Sequence, residues 1–401
     1  MRTVDLGEER TRLGDLGPVI VRWALLVGVV GLAASVALAF LVEDGAQRFF
    51  ASYLVSFAYF LSLSLGALFF VMIQHLTRAG WSVVIRRQAE MIAANLGWLA
   101  VLFIPVLVGM GDLYPWTDAA GVAEDELLQW KQPYLNVPFF LVRCVVYFGV
   151  WFLLSRYFLR RSLEQDETGD FMLTVRMERT SAPAMVAFAF TLTFASFDFL
   201  MARDPKWFST IYGVYYFSGG VLAVCAFLPV VTFLLQRAGL VRHAITIEHY
   251  HDLGKLVFAF VVFWAYIAFS QYMLIWYANV PEETTWYLLR QNEPWAVVSL
   301  TLLFGHFVIP FLALISSFPK RHKAVLVGAA IYMLVMHWID IYWLVMPESS
   351  PDSIPLSPFD LTTFLGVGGL YVAAIANRMR NRSLLPRRDP RLGESLGFEN
   401  V

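Results

Sequence analysis

The residues in this chain that could do chemistry are ionisable side chains set inside long apolar runs. Arg143, Asp198, His306, His337 and Asp340 stand toward one end of their runs. Glu90 and Asn95, with the cluster Glu248, His249, His251, Asp252 and Lys255, stand toward the other. A charge at the centre of a bilayer costs about 2.5–3.5 kcal/mol on insertion scales, so groups of this kind line a cavity or pair with one another. His337 and Asp340 are three residues apart and share a helix face. Hydroxyl and amide residues fill the depth between the two sets: Ser56, Tyr59, Ser62, Ser64, Thr191, Thr193, Tyr266, Ser270 and Gln271. Histidine, tyrosine, serine and a protonated aspartate can each both donate and accept, which is what relaying a proton requires. The pattern therefore predicts two half-channels. One runs around His249, Asp252 and Glu90; the other runs around Asp198, His306, His337 and Asp340, with Arg143 beside it.

Plainer readings stand next to this one. Serine and threonine inside a span mostly back-bond or pack. Arg143 and Asp198 make sense as a structural ion pair, and the residues before Leu253 make sense as a helix cap, with Asp252 favourable at the positive end of the helix dipole. A bis-histidine haem b is a sharper rival, because the depths of His306 and His337 differ by only ~3 Å at 1.5 Å rise per residue. Against it, Asp340 would crowd the porphyrin, and no single helix carries two haem-type histidines. Cys144 and Cys225 stand alone, too few for an iron–sulfur cluster and without a C-x-x-C pair. No intrinsic redox cofactor or metal is expected.

The elements that must position these groups are transmembrane helices. Apolar residues make up 58% of the chain and charged residues 15%, well outside the range of soluble domains, so the excess must face lipid. The net charge of −1 gives no basic face for a nucleic acid. A bilayer core needs about 20 apolar residues per helix. Runs of that order cover residues 19–42, 49–73, 91–111, 137–159, 181–202, 210–235, 253–278, 295–317, 323–346 and a shorter 361–377, which Gly366, Gly368 and Gly369 weaken. The expected fold is all-α and integral to the membrane, with ten spans. Residues 1–18 form an N-terminal segment, 19–377 the membrane domain and 378–401 a C-terminal tail. Counting loops alternately, 24 of the 30 basic residues fall on the side of the termini and five on the other, with Arg143 inside a span. By the positive-inside rule both ends face the cytoplasm. Pro105, Pro229 and Pro310 interrupt spans away from their centres, which disfavours a stand-alone transporter built on broken midplane helices.

A weak internal repeat is visible. The fifth span ends Ser196-Phe-Asp-Phe-Leu-Met and the ninth runs Trp338-Ile-Asp-Ile-Tyr-Trp, each placing an aspartate among aromatics. Two four-helix bundles follow, spans two to five (about 49–203) and six to nine (210–346), with spans one and ten peripheral.

Longer motifs carry a resemblance. Pro133-Tyr-Leu-Asn-Val-Pro-Phe, Asp166-Glu-Thr-Gly-Asp, Phe208-Ser-Thr-Ile-Tyr-Gly, Glu248-His-Tyr-His-Asp-Leu-Gly-Lys, Trp264-Ala-Tyr-Ile-Ala-Phe-Ser-Gln-Tyr and Trp276-Tyr-Ala-Asn-Val-Pro-Glu-Glu-Thr-Thr-Trp-Tyr are similar to the smaller NrfD-like membrane subunit family (ActF) of bacterial alternative complex III. The similarity runs over about residues 49–346. It implies a place in a quinol:electron-acceptor oxidoreductase of the bacterial cytoplasmic membrane. The partners it implies are a larger NrfD-like subunit, an iron–sulfur protein and c-type cytochromes, which hold the iron–sulfur clusters and haems c. It also implies proton translocation, for which the half-channel residues are candidates. The alternative is that the subunit itself binds quinone and oxidises quinol, with His337 and Asp340 accepting the protons.

Overall fold

The computed structural model describes residues 9–400. The first eight residues of the N-terminal segment, Arg2 among them, lie outside that range. Among the described residues the chain is helical without strands, and ten helices are long and apolar enough to cross a membrane. They are α1 (Leu16–Leu41), α2 (Gly45–Leu76), α3 (Val83–Val108), α4 (Val137–Thr168), α5 (Phe171–Arg203), α6 (Tyr212–Arg237), α7 (Ile247–Ala278), α8 (Trp295–Leu314), α9 (Lys323–Glu348) and α10 (Pro358–Met379). The protein is a multi-pass helical membrane protein, with the ten spans the hydropathy predicts.

Local chemistry sets the ends and breaks. In the Asp166–Asp170 motif, Gly169 takes φ +69° and closes α4, and the Asp170 carboxylate accepts the Met172 N–H to open α5. The helix α3 is interrupted near Phe103, ahead of Pro105. There the Val106 N–H turns to the Phe103 carbonyl, and the carbonyl of Leu102 is satisfied instead by the Tyr53 hydroxyl at 2.7 Å.

The helix α2 is the most buried span and lies at the centre. It packs against α3 and α5, with α4 closing that group, while α6 packs against α7 and α9, with α8 closing the second group. The two four-helix groups meet along α2 and α6.

The helix α1 lies along α10, and α10 along α2. Glycine makes this contact. A Cβ at Gly31 would come within 2.7 Å of the Gly366 backbone N, and one at Gly369 within 2.4 Å of Gly28 N. The glycines that weaken the tenth span as a hydropathy signal are thus what lets two backbones touch, in the manner of small-residue contacts in lipid. Ser35 adds a bond to Thr362 at 2.7 Å.

The two ends of the described range lie on one face, called here the terminal face. The Leu384 N–H bonds the Thr11 carbonyl at 2.7 Å and the Val241 N–H bonds the Arg10 carbonyl at 3.1 Å. The segment after α10 packs across this face, with Leu384 and Leu385 fully buried.

Candidate functional site

The core of the second bundle holds His306 on α8 with His337 and Asp340 on α9, each no more than 1% exposed. Their ligand-type atoms lie within 4.8 Å of one another. Asp340 has neutral donors only: the Tyr215 hydroxyl of α6 gives a hydrogen bond to Oδ1 at 2.5 Å and the Trp264 indole of α7 one to Oδ2 at 3.2 Å. No Arg or Lys nitrogen lies within 4.0 Å of this carboxylate among the described residues.

Hydrogen-bond accounting orients His337. Ser62 donates its one hydrogen to the Tyr59 carbonyl at 2.7 Å, so at 2.8 Å from His337 Nε2 its oxygen must accept. The Nε2–H is therefore spoken for, and Nδ1 faces Asp340 Oδ2 at 3.9 Å without a hydrogen-bond partner. Among the described residues His306 has no hydrogen-bond partner on either nitrogen; its ring lies against Trp264 with centroids 3.9 Å apart. It stands in a π-helical turn, Leu302–Val308. The cause is Pro310, which has no N–H to offer the His306 carbonyl four residues back. Gly219 on α6 makes room for the pair, since a Cβ there would meet His337 Cε1 at 3.0 Å. Two imidazoles and a carboxylate can relay protons, and they are also a donor set that zinc accepts.

Two cavities flank the cluster. One of about 420 Å³ has Tyr215 and Trp264 in its wall, with Tyr287, Arg290 and Trp343. Burial pushes the Arg290 guanidinium below its ordinary value, against the opposing pull of Glu348. Another of about 500 Å³ is walled by Tyr59, Trp338 and Asp360 between α2, α9 and α10. The Tyr59 ring lies 5.4 Å from that of His337.

The other predicted groups go elsewhere. In the first bundle Arg143 bonds both Asp198 oxygens, at 2.7 and 2.9 Å, and Tyr147 adds a third bond at 2.7 Å. The Tyr134 ring covers the guanidinium at 3.9 Å; burial first, and then Asp198, push its phenol up to about 12, so it stays a neutral π face. This is a closed ion pair, separate from the His306–His337–Asp340 cluster.

The inner half-channel expected around Glu90, His249 and Asp252 is not assembled as one set, because none of the three hydrogen-bonds another. Glu90 is held by Arg86 and Arg87, which also bind Asp389 and Asp166. His249 caps α7: its Nδ1 accepts the Thr246 N–H at 3.0 Å, and its Nε2 reaches the Ser395 carbonyl at 3.1 Å. Asp252 pairs with Lys255 one turn on. Tyr266 departs furthest from expectation, with 64% of its surface exposed on the outside of α7. Sequence reasoning missed Tyr215, Trp264 and Gly219 as parts of the cluster. Only Tyr215 had a readable signal, a hydroxyl on a span at the depth of Asp340.

Fold and site together define a ten-span helical membrane protein with a buried histidine–carboxylate centre. The chain matches no model of a known protein family, and none of the curated proteins compared with it matches.

Proposed function

We propose that this chain is a proton-conducting membrane subunit of a bacterial quinol:electron-acceptor oxidoreductase, with His306, His337 and Asp340 as its proton-loading centre. The observation that carries the reading is a fully buried carboxylate held by neutral donors beside two imidazoles with unpartnered nitrogens. Such a centre can gain or lose a proton without breaking an ion pair. Tyr215, Trp264 and Ser62 position it, and Tyr215 and Trp264 also stand in the wall of the 420 Å³ cavity. Toward the terminal face the next bonded hydroxyls are Ser64 and Tyr371, 2.9 Å apart, with Asn95 on the Tyr371 carbonyl at 3.0 Å. Transfer from Ser62 to that set needs a side-chain rotation or a bridging water. The distribution of Arg and Lys supports a cytoplasmic terminal face. The motif resemblance supports partner subunits that carry the iron–sulfur clusters and haems c, with no redox centre in this chain.

The test is coupled turnover of the purified complex in proteoliposomes. His337→Gln keeps a donor for Ser62 and removes the imidazole, so quinol-driven proton transfer should fall about tenfold or more while the complex still assembles. Unchanged transfer would end the proposal.

A second reading has its own observation. The 420 Å³ cavity is predominantly apolar and its wall includes both hydrogen-bond donors to Asp340, so a quinone ring there would sit one hydroxyl from the carboxylate. Quinone retained by the wild-type complex and lost on Trp264→Leu would favour direct quinol oxidation by this subunit.

A further inference from the structure

Between α3, α4 and α10, at the terminal face, lies a cavity of about 520 Å³ that the proton-centre reading does not use. Arg156 and Arg160, one turn apart on α4, line one side, and Arg378 in the last turn of α10 with Arg382 in the segment just after it line the other. Three buried arginines elsewhere are held by carboxylates: Arg86 and Arg87 each bind two, and Arg143 binds Asp198. Among the described residues, none of the four around this cavity has a carboxylate within 4.0 Å. Arg378 donates only to neutral acceptors, the Asn95 amide oxygen and the Ala374 carbonyl. Two glutamates share the wall, but the Glu164 carboxylate is already engaged by Arg161 at 2.8 Å, which leaves Glu167. The cavity therefore has an excess of guanidinium forks, the group best matched to phosphate oxygens.

The position of this charge says which phosphate. On α4 the cavity continues into an outward strip that is apolar and exposed: Phe152 and Leu153 one turn before Arg156, then Val145 and Val142. A strip of that kind on a spanning helix faces acyl chains, so the arginines stand where the bilayer passes from hydrocarbon to headgroup. We propose that this cavity binds the phosphodiester headgroup of an anionic membrane lipid, its chains lying along the exposed face of α4. The lipid would hold the ends of α4 and α10 together on the terminal face. The proposal is independent of the proton-centre reading.

Native mass spectrometry of the purified protein tests it, with dioleoyl phosphatidylglycerol and dioleoyl phosphatidylcholine offered at equal concentration. The anionic lipid should be retained about tenfold better. Arg160→Gln with Arg382→Gln should bring it down to the level of the zwitterionic lipid, while Arg176→Gln with Arg237→Gln, exposed arginines outside the cavity, should leave it unchanged. Equal retention of the two lipids by the wild-type protein overturns the proposal, and that comparison stands even where the double variant fails to fold. Displacement of the lipid by an equal concentration of inorganic phosphate also overturns it, since the site would then be one for a free anion. So does the same loss in both double variants, which would reflect general surface charge.

Discussion

Asp198 and Asp340 hold corresponding places in the two bundles, each an aspartate among aromatic residues on the last helix of its group, each 1% exposed. Their surroundings differ in one respect that decides what each can do. Asp198 meets a guanidinium through two hydrogen bonds and a tyrosine through a third, so its charge is cancelled inside the protein. Asp340 meets a tyrosine and an indole, and its third neighbour is an imidazole nitrogen 3.9 Å away. Moving a proton at Asp198 would strand Arg143 in the membrane. At Asp340 no fixed cation is left behind. The same sequence signal, an aspartate in an aromatic span, thus marks a structural lock in one bundle and a candidate working group in the other.

The largest expected effect comes from breaking the lock. Asp198→Asn leaves Arg143 without its counter-charge and should destabilise the protein by about 3–5 kcal/mol, measured by unfolding in a detergent titration. Replacing both partners with apolar residues, Arg143→Met with Asp198→Leu, should recover most of that loss. Asp340→Asn should cost far less stability, about 1 kcal/mol, because Tyr215 can still donate to the amide oxygen. Equal destabilisation by the two single variants would remove the distinction.

The tyrosines sharpen the comparison. Tyr215→Phe deletes one of only two donors to Asp340 and should slow proton-coupled turnover several-fold, whereas Tyr147→Phe leaves Asp198 on its arginine and should leave turnover unchanged. The smallest expected effect is at the terminal face. Loss of the α7 cap through His249→Ala should cost about 1 kcal/mol in stability, with no change in proton transfer in the surviving protein. A specific loss of proton transfer in that variant would restore the inner half-channel around His249.

The spans were legible because about 20 apolar residues in a row have few alternatives in a chain this poor in charge. His337 and Asp340 were legible as a pair because three residues is one helix turn. The rest depended on contacts between helices distant in sequence. Nothing in the spacing of Glu90 reveals that Arg87 also reaches Asp166, 79 residues away. Tyr215 and Trp264 read as two more aromatics in a chain that is 16% aromatic. Tyr266 read as a channel hydroxyl because hydropathy does not say which face of α7 meets lipid. Pro310 reads as a span interruption; its consequence, a widened turn at His306, needs the rule that proline withholds the N–H from the carbonyl four residues before it. The glycines of α10 read as weakness until α1 is seen lying against them.

On the proposed function, Asp340 and not Asp198 exchanges protons during turnover. The most direct measurement is the number of protons translocated per electron by the reconstituted complex, compared between Asp340→Asn and the paired Arg143→Met, Asp198→Leu variant. The first should lose translocation while remaining assembled, and the second should keep it. Full translocation in Asp340→Asn, or its loss in the paired variant alone, would rule out Asp340 as the proton-exchanging group.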